Sequence, residues 1–351
     1  MAKKTTSEIK QEVTDRIIEA LKGDVLPWRK PWTSSSIGFT PAKNAKTGNF
    51  YQGTNFLLLA VQQMNQGFES NLWGTYKQWK DKGGNVSKGS KGTRIVFFKM
   101  VDKKNEDGKF AFLRESVVFN LDQTNSFGTD AYDADADTLK DLRPVKVELT
   151  EAEMTERYEL AEIVVKGTGA TINYKEQDRA FYSCDTDHIT MPIADQFNTT
   201  AGYYGTLFHE LAHWTGSEKR LDRNLKNSFG SKDYAKEELV AELSTAMTCA
   251  LLEVPNLSDE TDSVSYLSHW IKQLKADPNM IMKVSSASRK ATDYILKPTQ
   301  HIHGLLNSPV KTNDEVVKEL NQVHAQGVND EITPAEWEAR TLELESQLQR
   351  E

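Results

Sequence analysis

At 351 residues, 38% apolar and 27% charged, the chain has room for two ordinary hydrophobic cores, and it is too apolar to be disordered throughout. Its first residues, MAKKTTSEIKQEVTDR, carry no apolar stretch that reads as a secretory signal. The longest apolar run, Phe56 to Val61, is far too short to cross a bilayer, so a cytoplasmic protein without a membrane partner is expected.

The formal net charge of -8 conceals an asymmetry. Residues 1–128 hold 20 Lys+Arg against 12 Asp+Glu, and the remainder 23 against 39. The basic first part suits a polyanion and the acidic second part does not. Cys184 and Cys249 form no C-x-x-C pair, which argues against a disulfide framework or a thiolate zinc site.

Ser7 to Gly23 reads as an amphipathic helix, with Ile9, Val13, Ile17 and Leu21 at steps of four and Gly23 as its stop. An irregular Trp/Pro/Ser stretch follows, then a helix around Asn55 to Gln66. Short strands at Thr93–Lys99 and Phe110–Asn120 flank a polar turn.

Within this part Trp28, Trp32, Trp73 and Trp79 are interleaved with Arg29, Lys30, Lys77 and Lys80, and Tyr51 and Tyr76 add to the aromatic set. Cations that follow phosphates beside flat rings that stack on unpaired bases are what a single-stranded nucleic-acid surface needs. Core packing is the competing reading for any one tryptophan. Trp28-Arg29-Lys30-Pro31-Trp32 is the strongest candidate, because proline and two cations make a buried helix or strand improbable there. The loop GGNVSKGSKGTR, residues 83–94, offers backbone amides with Lys88, Lys91 and Arg94 for phosphate. It is not a P-loop, since Ser90 stands where the lysine is required and no apolar strand precedes it.

Five aspartates among small residues between Gly128 and Leu142 mark a linker. Beyond it, a helix near Glu151–Lys166 leads to strands at Thr171–Tyr174, Ala180–Cys184 and His188–Met191, then to mostly helical chain as far as about Pro298. The alternating segment Asp187–Pro192 reads either as an edge strand able to pair with an extended peptide or as ordinary sheet. The expected fold is α+β in two domains. A small mixed α+β nucleic-acid-binding domain spans 1–128, and an acidic linker 129–148. A mostly helical domain with a small sheet spans 149–305, and a charged tail 306–351.

Thr200 to Thr215, TAGYYGTLFHELAHWT, has helical apolar spacing with Gly216 as its stop. His209 and His213 stand one turn apart on one face, so both imidazoles can address one Zn2+, with Glu210 beside them as general base. No third histidine of the metzincin kind follows. A carboxylate from the next helix, Asp233–Leu252, is therefore expected as third ligand. Glu238 is favoured, with Glu242 orienting a histidine or exchanging roles with it. Two His and one Glu leave a coordination position open, and Glu210 then takes a proton from water and passes it to the leaving amine of a hydrolysed peptide bond. Tyr234, Arg220 and His269 are candidate oxyanion stabilisers.

The segments VTDRIIEALKGDVLPWRKPW (13–32), YQGTNFLLL (51–59), WGTYKQW (73–79), FHELAHWTGSEKRLDR (208–223) and EELVAEL (237–243) resemble the ArdC-type antirestriction proteins of plasmids and phages. The N-terminal domain of that family in turn resembles one in conjugative plasmid primases. The resemblance covers about residues 8–300. It implies a single-stranded-DNA-binding first domain, a zincin-like metallopeptidase second domain, and protection of incoming DNA from restriction in a bacterial host. The partners it implies are single-stranded DNA and an unidentified protein substrate or host restriction component. Two readings stand at this stage: a DNA-tethered zinc peptidase, and a DNA-binding protein whose metal domain serves structure or docking.

Overall fold

The computed structural model describes residues 5–22, 41–102, 109–126, 139–142, 150–225, 231–256 and 262–297. The helices are α1 (Thr6–Leu21), α2 (Thr54–Gln66), α3 (Tyr76–Asp81), α4 (Glu151–Thr168), α5 (Thr200–Trp214), α6 (Lys232–Leu251), α7 (Asp262–Ala276) and α8 (Met280–Ile295). The strands are β1 (Lys43–Asn44), β2 (Leu72–Gly74), β3 (Gly84–Val86), β4 (Thr93–Asp102), β5 (Lys109–Asn120), β6 (Thr124–Ser126), β7 (Thr171–Tyr174), β8 (Phe181–Ser183) and β9 (His188–Met191).

A capping box starts α1: Thr5 Oγ1 accepts from the Glu8 amide, and the Glu8 carboxylate accepts from the Thr5 amide at 2.7 Å. Its stripe Ile9, Val13, Ile17 and Leu21 is buried as the four-residue spacing requires. In α2, Leu57, Leu58 and Leu59 are all sealed, because the helix lies between two layers. Leu59 faces a small core with Trp73, Ile95 and Val118, while Leu57 and Leu58 join the larger helical core. A helix apolar on both sides can only be an internal one.

The N-terminal sheet runs β1-β2-β5-β4, with β4 and β5 a long antiparallel hairpin from Thr93↔Val118 to Asp102↔Lys109. Strands β3 and β6 make a separate pair. The second sheet has the order β7-β9-β8. The segment beginning at His188 is therefore the central strand, parallel to β7 and antiparallel to β8, and not the edge that an extended peptide could join. Both sides of its hydrogen-bonding frame are already taken.

The larger core crosses the charge divide. Ile9, Val13, Ile17 and Leu21 of α1 and Leu57, Leu58 and Val61 of α2 pack in one cluster with Leu239 and Leu243 of α6, Trp270 and Leu274 of α7, and Ile281 and Val284 of α8. A second core joins Ala161 and Val164 of α4, Ile189 and Met191 of β9, Leu207, Phe208 and Leu211 of α5, and Ala241 and Cys249 of α6. Helix α6 thus contributes to both cores, and each fully buried Leu, Ile, Val, Phe or Met in them contributes on the order of 1.5–3 kcal/mol. No helix among the described residues is long and apolar enough to cross a membrane.

Candidate metal centre and the family of the chain

Helix α5 is fixed at its start by Thr199, whose Oγ1 accepts from the Gly202 amide at 2.9 Å, and α6 by Ser231, which accepts from the Tyr234 amide at 3.1 Å. The two helices pack directly on one another, with Ala241 sealed where they meet. This crossing brings His209, His213 and Glu238 together, one ligand atom from each lying within 4.8 Å of the others. His209 Nε2 is 3.2 Å from His213 Nε2 and 3.5 Å from Glu238 Oε2, and His213 Nε2 is 3.7 Å from Glu238 Oε1. Glu210, between the two histidines, is 5% exposed.

The donor chemistry fits a cation. The other ring nitrogen of His213, Nδ1, faces Glu237 Oε1 at 3.3 Å, and a carboxylate only accepts. In the neutral ring, the form that binds a cation, the proton therefore belongs on Nδ1, a tautomer assigned from this network, and Nε2, turned toward His209 Nε2 and Glu238, carries the lone pair. Two imidazole nitrogens and one carboxylate aimed at a common point make a three-ligand site that can keep a position open. Burial disfavours the Glu238 carboxylate, but the charge of His213 and hydrogen bonds from His209 and Tyr234 outweigh it and hold its pKa at about 2. Burial likewise opposes charge on His213, and the Glu238 and Glu237 carboxylates more than reverse that, raising its pKa.

Glu237, Glu238 and Glu242 lie on or near one flank of α6, and their spacing sets Glu238 against Glu242 as ligand while giving Glu237 no role. Glu242, 2% exposed, lies outside the converging trio, and it is Glu237 that reaches a histidine ring. One helical turn separates 238 from 242, but Glu237 depends on how α5 crosses α6, which no spacing within α6 reveals. Of the three oxyanion candidates, Tyr234 hydrogen-bonds Glu238. Arg220 is committed elsewhere, to the Asp187 carboxylate and the Tyr182 hydroxyl, with its guanidinium 4.0 Å over the Trp214 ring. His269 lies on α7 with its Nε2 3.5 Å from Gln273.

The candidate nucleic-acid residues divide sharply. Trp28, Arg29, Lys30 and Trp32 lie outside the described residues. Trp73 is fully buried in β2, edge-on to Phe68 at 5.7 Å, and Tyr51 is 9% exposed with its hydroxyl held by Asn44 at 2.9 Å. Neither ring can offer a face to a base, because both are structural members of the small core. Trp79 is likewise sealed, its indole donating to the Phe119 carbonyl at 2.9 Å. By contrast Tyr76 is 54% exposed, and Lys77, Lys88 and Lys91 are exposed. Arg94 is half-buried and paired with Glu12 at 3.4 Å.

Two family models match the chain. Residues 7–134 match the N-terminal domain of anti-restriction factor ArdC, and residues 159–287 match a zincin-like metallopeptidase family. The antirestriction ArdC protein of plasmid R388, in its metal-free crystal structure, superposes with a TM-score of 0.65 at 32% identity, over 83% of this chain and 98% of that one. This chain belongs to the ArdC family. The Mn(II)-bound structure of the same R388 protein matches equally, TM-score 0.65, over 82% and 97% of the two chains. An uncharacterized protein of Sinorhizobium fredii, y4eC, is 32% identical, and the match covers 92% of its length. Two DNA primases TraC of Escherichia coli are 35% identical over 294 residues, but this ArdC-family chain spans only 19% and 27% of their lengths. A zincin-like domain implies a divalent metal, and the trio His209, His213 and Glu238 falls within the matched segment.

Proposed function

We propose that this protein binds single-stranded DNA through its basic N-terminal part and hydrolyses a peptide bond at a zinc centre, protecting incoming DNA from restriction in the bacterial cytoplasm. The observation that carries the enzymatic half is the convergence of His209 Nε2, His213 Nε2 and the Glu238 carboxylate within 4.8 Å of one another, with buried Glu210 the next residue after His209 on the same helix. In this reading His209, His213 and Glu238 hold the ion. When bound, a divalent ion supplies the Lewis acidity that polarises a carbonyl and acidifies water.

Glu210 is the general base, a role that a purely structural metal site does not require. It takes the proton of the attacking water and returns it to the departing amine nitrogen. Tyr234 steadies the Glu238 carboxylate by its hydrogen bond. For DNA, support comes from the exposed set Tyr76, Lys77, Lys88 and Lys91 together with the excess of positive charge before residue 128.

The test is Glu210→Gln. It should keep both metal and single-stranded-DNA binding while abolishing cleavage of a host restriction component, or of the chain itself, in the presence of DNA. Antirestriction in cells that survives Glu210→Gln, yet disappears when Lys88 and Lys91 are neutralised, would assign protection to coating of DNA alone.

A further inference from the structure

Helix α5 ends against a polar assembly that neither ligand binding nor the general base explains. The guanidinium of Arg223, only 12% exposed, grips the Glu237 carboxylate from two sides: Nη2 donates to Oε1 at 2.7 Å and Nε to Oε2 at 3.0 Å. The same group donates from Nη2 to the Ala212 carbonyl at 2.7 Å and from Nη1 to Thr215 Oγ1 at 2.9 Å. It therefore ties the last turn of α5, which carries His213, to the first turns of α6. Glu237 Oε1, held by Arg223, is also the atom that faces His213 Nδ1 at 3.3 Å.

Gly216 is part of this arrangement. The sequence suggests a helix stop, yet α5 ends at Trp214 with its capping residue Thr215 in right-handed geometry, and Gly216 is not among the residues with positive φ. What Gly216 supplies is clearance. A Cβ there would lie 2.8 Å from Arg223 Nη2 and 3.0 Å from Cζ, and this guanidinium, fixed by four partners on three residues, has little freedom to retreat.

We infer that Glu237 and Arg223 are positioning residues for the metal centre. Glu237 fixes the Nδ1–H tautomer of His213 so that Nε2 is the metal-binding nitrogen, and Arg223 holds Glu237 and the end of α5 in the register this requires. The inference rests on the reading of His209, His213 and Glu238 as a metal site. A carboxylate behind a ligating histidine is worth about 10–100-fold in metal affinity. Lysine at 223 would keep the charge and lose the fork that reaches Glu237, Ala212 and Thr215 together.

Two measurements on the full chain test this. Long-range 1H–15N spectra of the metal-free, histidine-labelled protein, at a pH where the ring is neutral, read the His213 tautomer without any ion. Titration with Mn2+ and with Zn2+ reads affinity. The wild type should show the Nδ1–H form. Glu237→Met should lose that preference and bind metal about 10–100-fold more weakly, Glu237→Gln, which keeps an acceptor, should restore the tautomer, and Arg223→Lys should fall between.

Because Glu237→Met strands a buried guanidinium, the double variant Glu237→Met with Arg223→Met, which removes both charges, keeps the test usable if the single variant unfolds. An Nε2–H tautomer in the wild type, or undiminished affinity in the folded double variant, overturns the inference. A wild type that shows the Nδ1–H tautomer but binds neither ion refutes the metal reading instead, which the tautomer signal keeps separate.

Discussion

Thr14 Oγ1 donates to the Pro278 carbonyl at 2.9 Å, fastening the first helix to the turn between α7 and α8. Lys10 Nζ repeats the link to Asn279 Oδ1 at 2.9 Å, and the core beneath joins α1 to α6, α7 and α8. Ile17→Ala, at a fully buried position, should cost about 2–5 kcal/mol. The expected calorimetric trace is one transition at lower temperature. A separate early transition of the N-terminal part alone would refute the shared core. A fragment ending near residue 128 leaves Ile9, Val13, Ile17 and Leu21 without their partners on α6–α8 and should bind a hydrophobic dye.

That core was not legible in the charge pattern, which separates the two parts of the chain cleanly, because charge reports on surfaces and cores are made from what is hidden. Periodicity did better. The four-residue stripe of α1, the strands Thr171–Tyr174 and His188–Met191, and the span of α5 all follow from local spacing. Edge or centre is a property of pairing partners, and so β9 was open to either reading. Tryptophan beside lysine signals stacking only when the ring is outside. The run WGTYKQW places Trp73 and Trp79 inward and Tyr76, Lys77 and Lys80 outward, a difference set by β2 and α3 folding over Leu121 and Val118.

For nucleic acid, Trp73→Phe should leave single-strand affinity within about twofold, since a sealed ring contributes nothing to stacking. Trp73→Ala should instead lower stability by about 3–5 kcal/mol. Neutralising Lys88 and Lys91 together should flatten the salt dependence by about 1.4 in the log–log slope, at roughly 0.7 per phosphate contact for single strands. Filter binding across a salt series measures both. An unchanged slope would remove the Gly/Lys loop from the interface.

For the metal, about one divalent ion per chain is expected from a single three-ligand site. Elemental analysis should find it lost in His209→Ala and His213→Ala, retained in Glu210→Gln, and reduced more by Glu238→Gln than by Glu242→Gln. Glu242 is 2% exposed and outside the trio, so its replacement should act on folding more than on metal content. The reverse order for the two glutamates would exchange their roles.

The turn between β8 and β9 gives a pH dependence whose sign follows from its contacts. Asp187, at φ 57°, accepts from Arg220 Nη2 and Nη1, from the Tyr182 hydroxyl at 2.8 Å and from Lys219 at 3.2 Å. The hydrogen bond from Arg220 is the main reason its pKa lies well below the ordinary carboxylate value, and burial opposes it without prevailing. Arg220 also donates to the Trp214 carbonyl, so this cluster pins the end of α5 to the sheet. Tyr182 stays a donor throughout, since burial, reinforced by Asp187, pushes its hydroxyl up to about 12. Asp187→Asn keeps a residue that tolerates the left-handed backbone but removes the charge, and should cost about 1–3 kcal/mol near pH 7. A depressed folded-state pKa means that this stabilisation is fully present above the unfolded value of 3.8 and is lost as pH falls through the folded one. The stability gap between wild type and Asp187→Asn, measured by urea unfolding of metal-free protein, should therefore be constant from pH 7 to about pH 5 and narrow steadily below pH 4. Taking the difference between the two chains cancels the histidines and other acids that titrate in both. A gap that stays constant down to pH 2, or that widens with acid, would show that the carboxylate charge of Asp187 is not what holds the turn against Arg220.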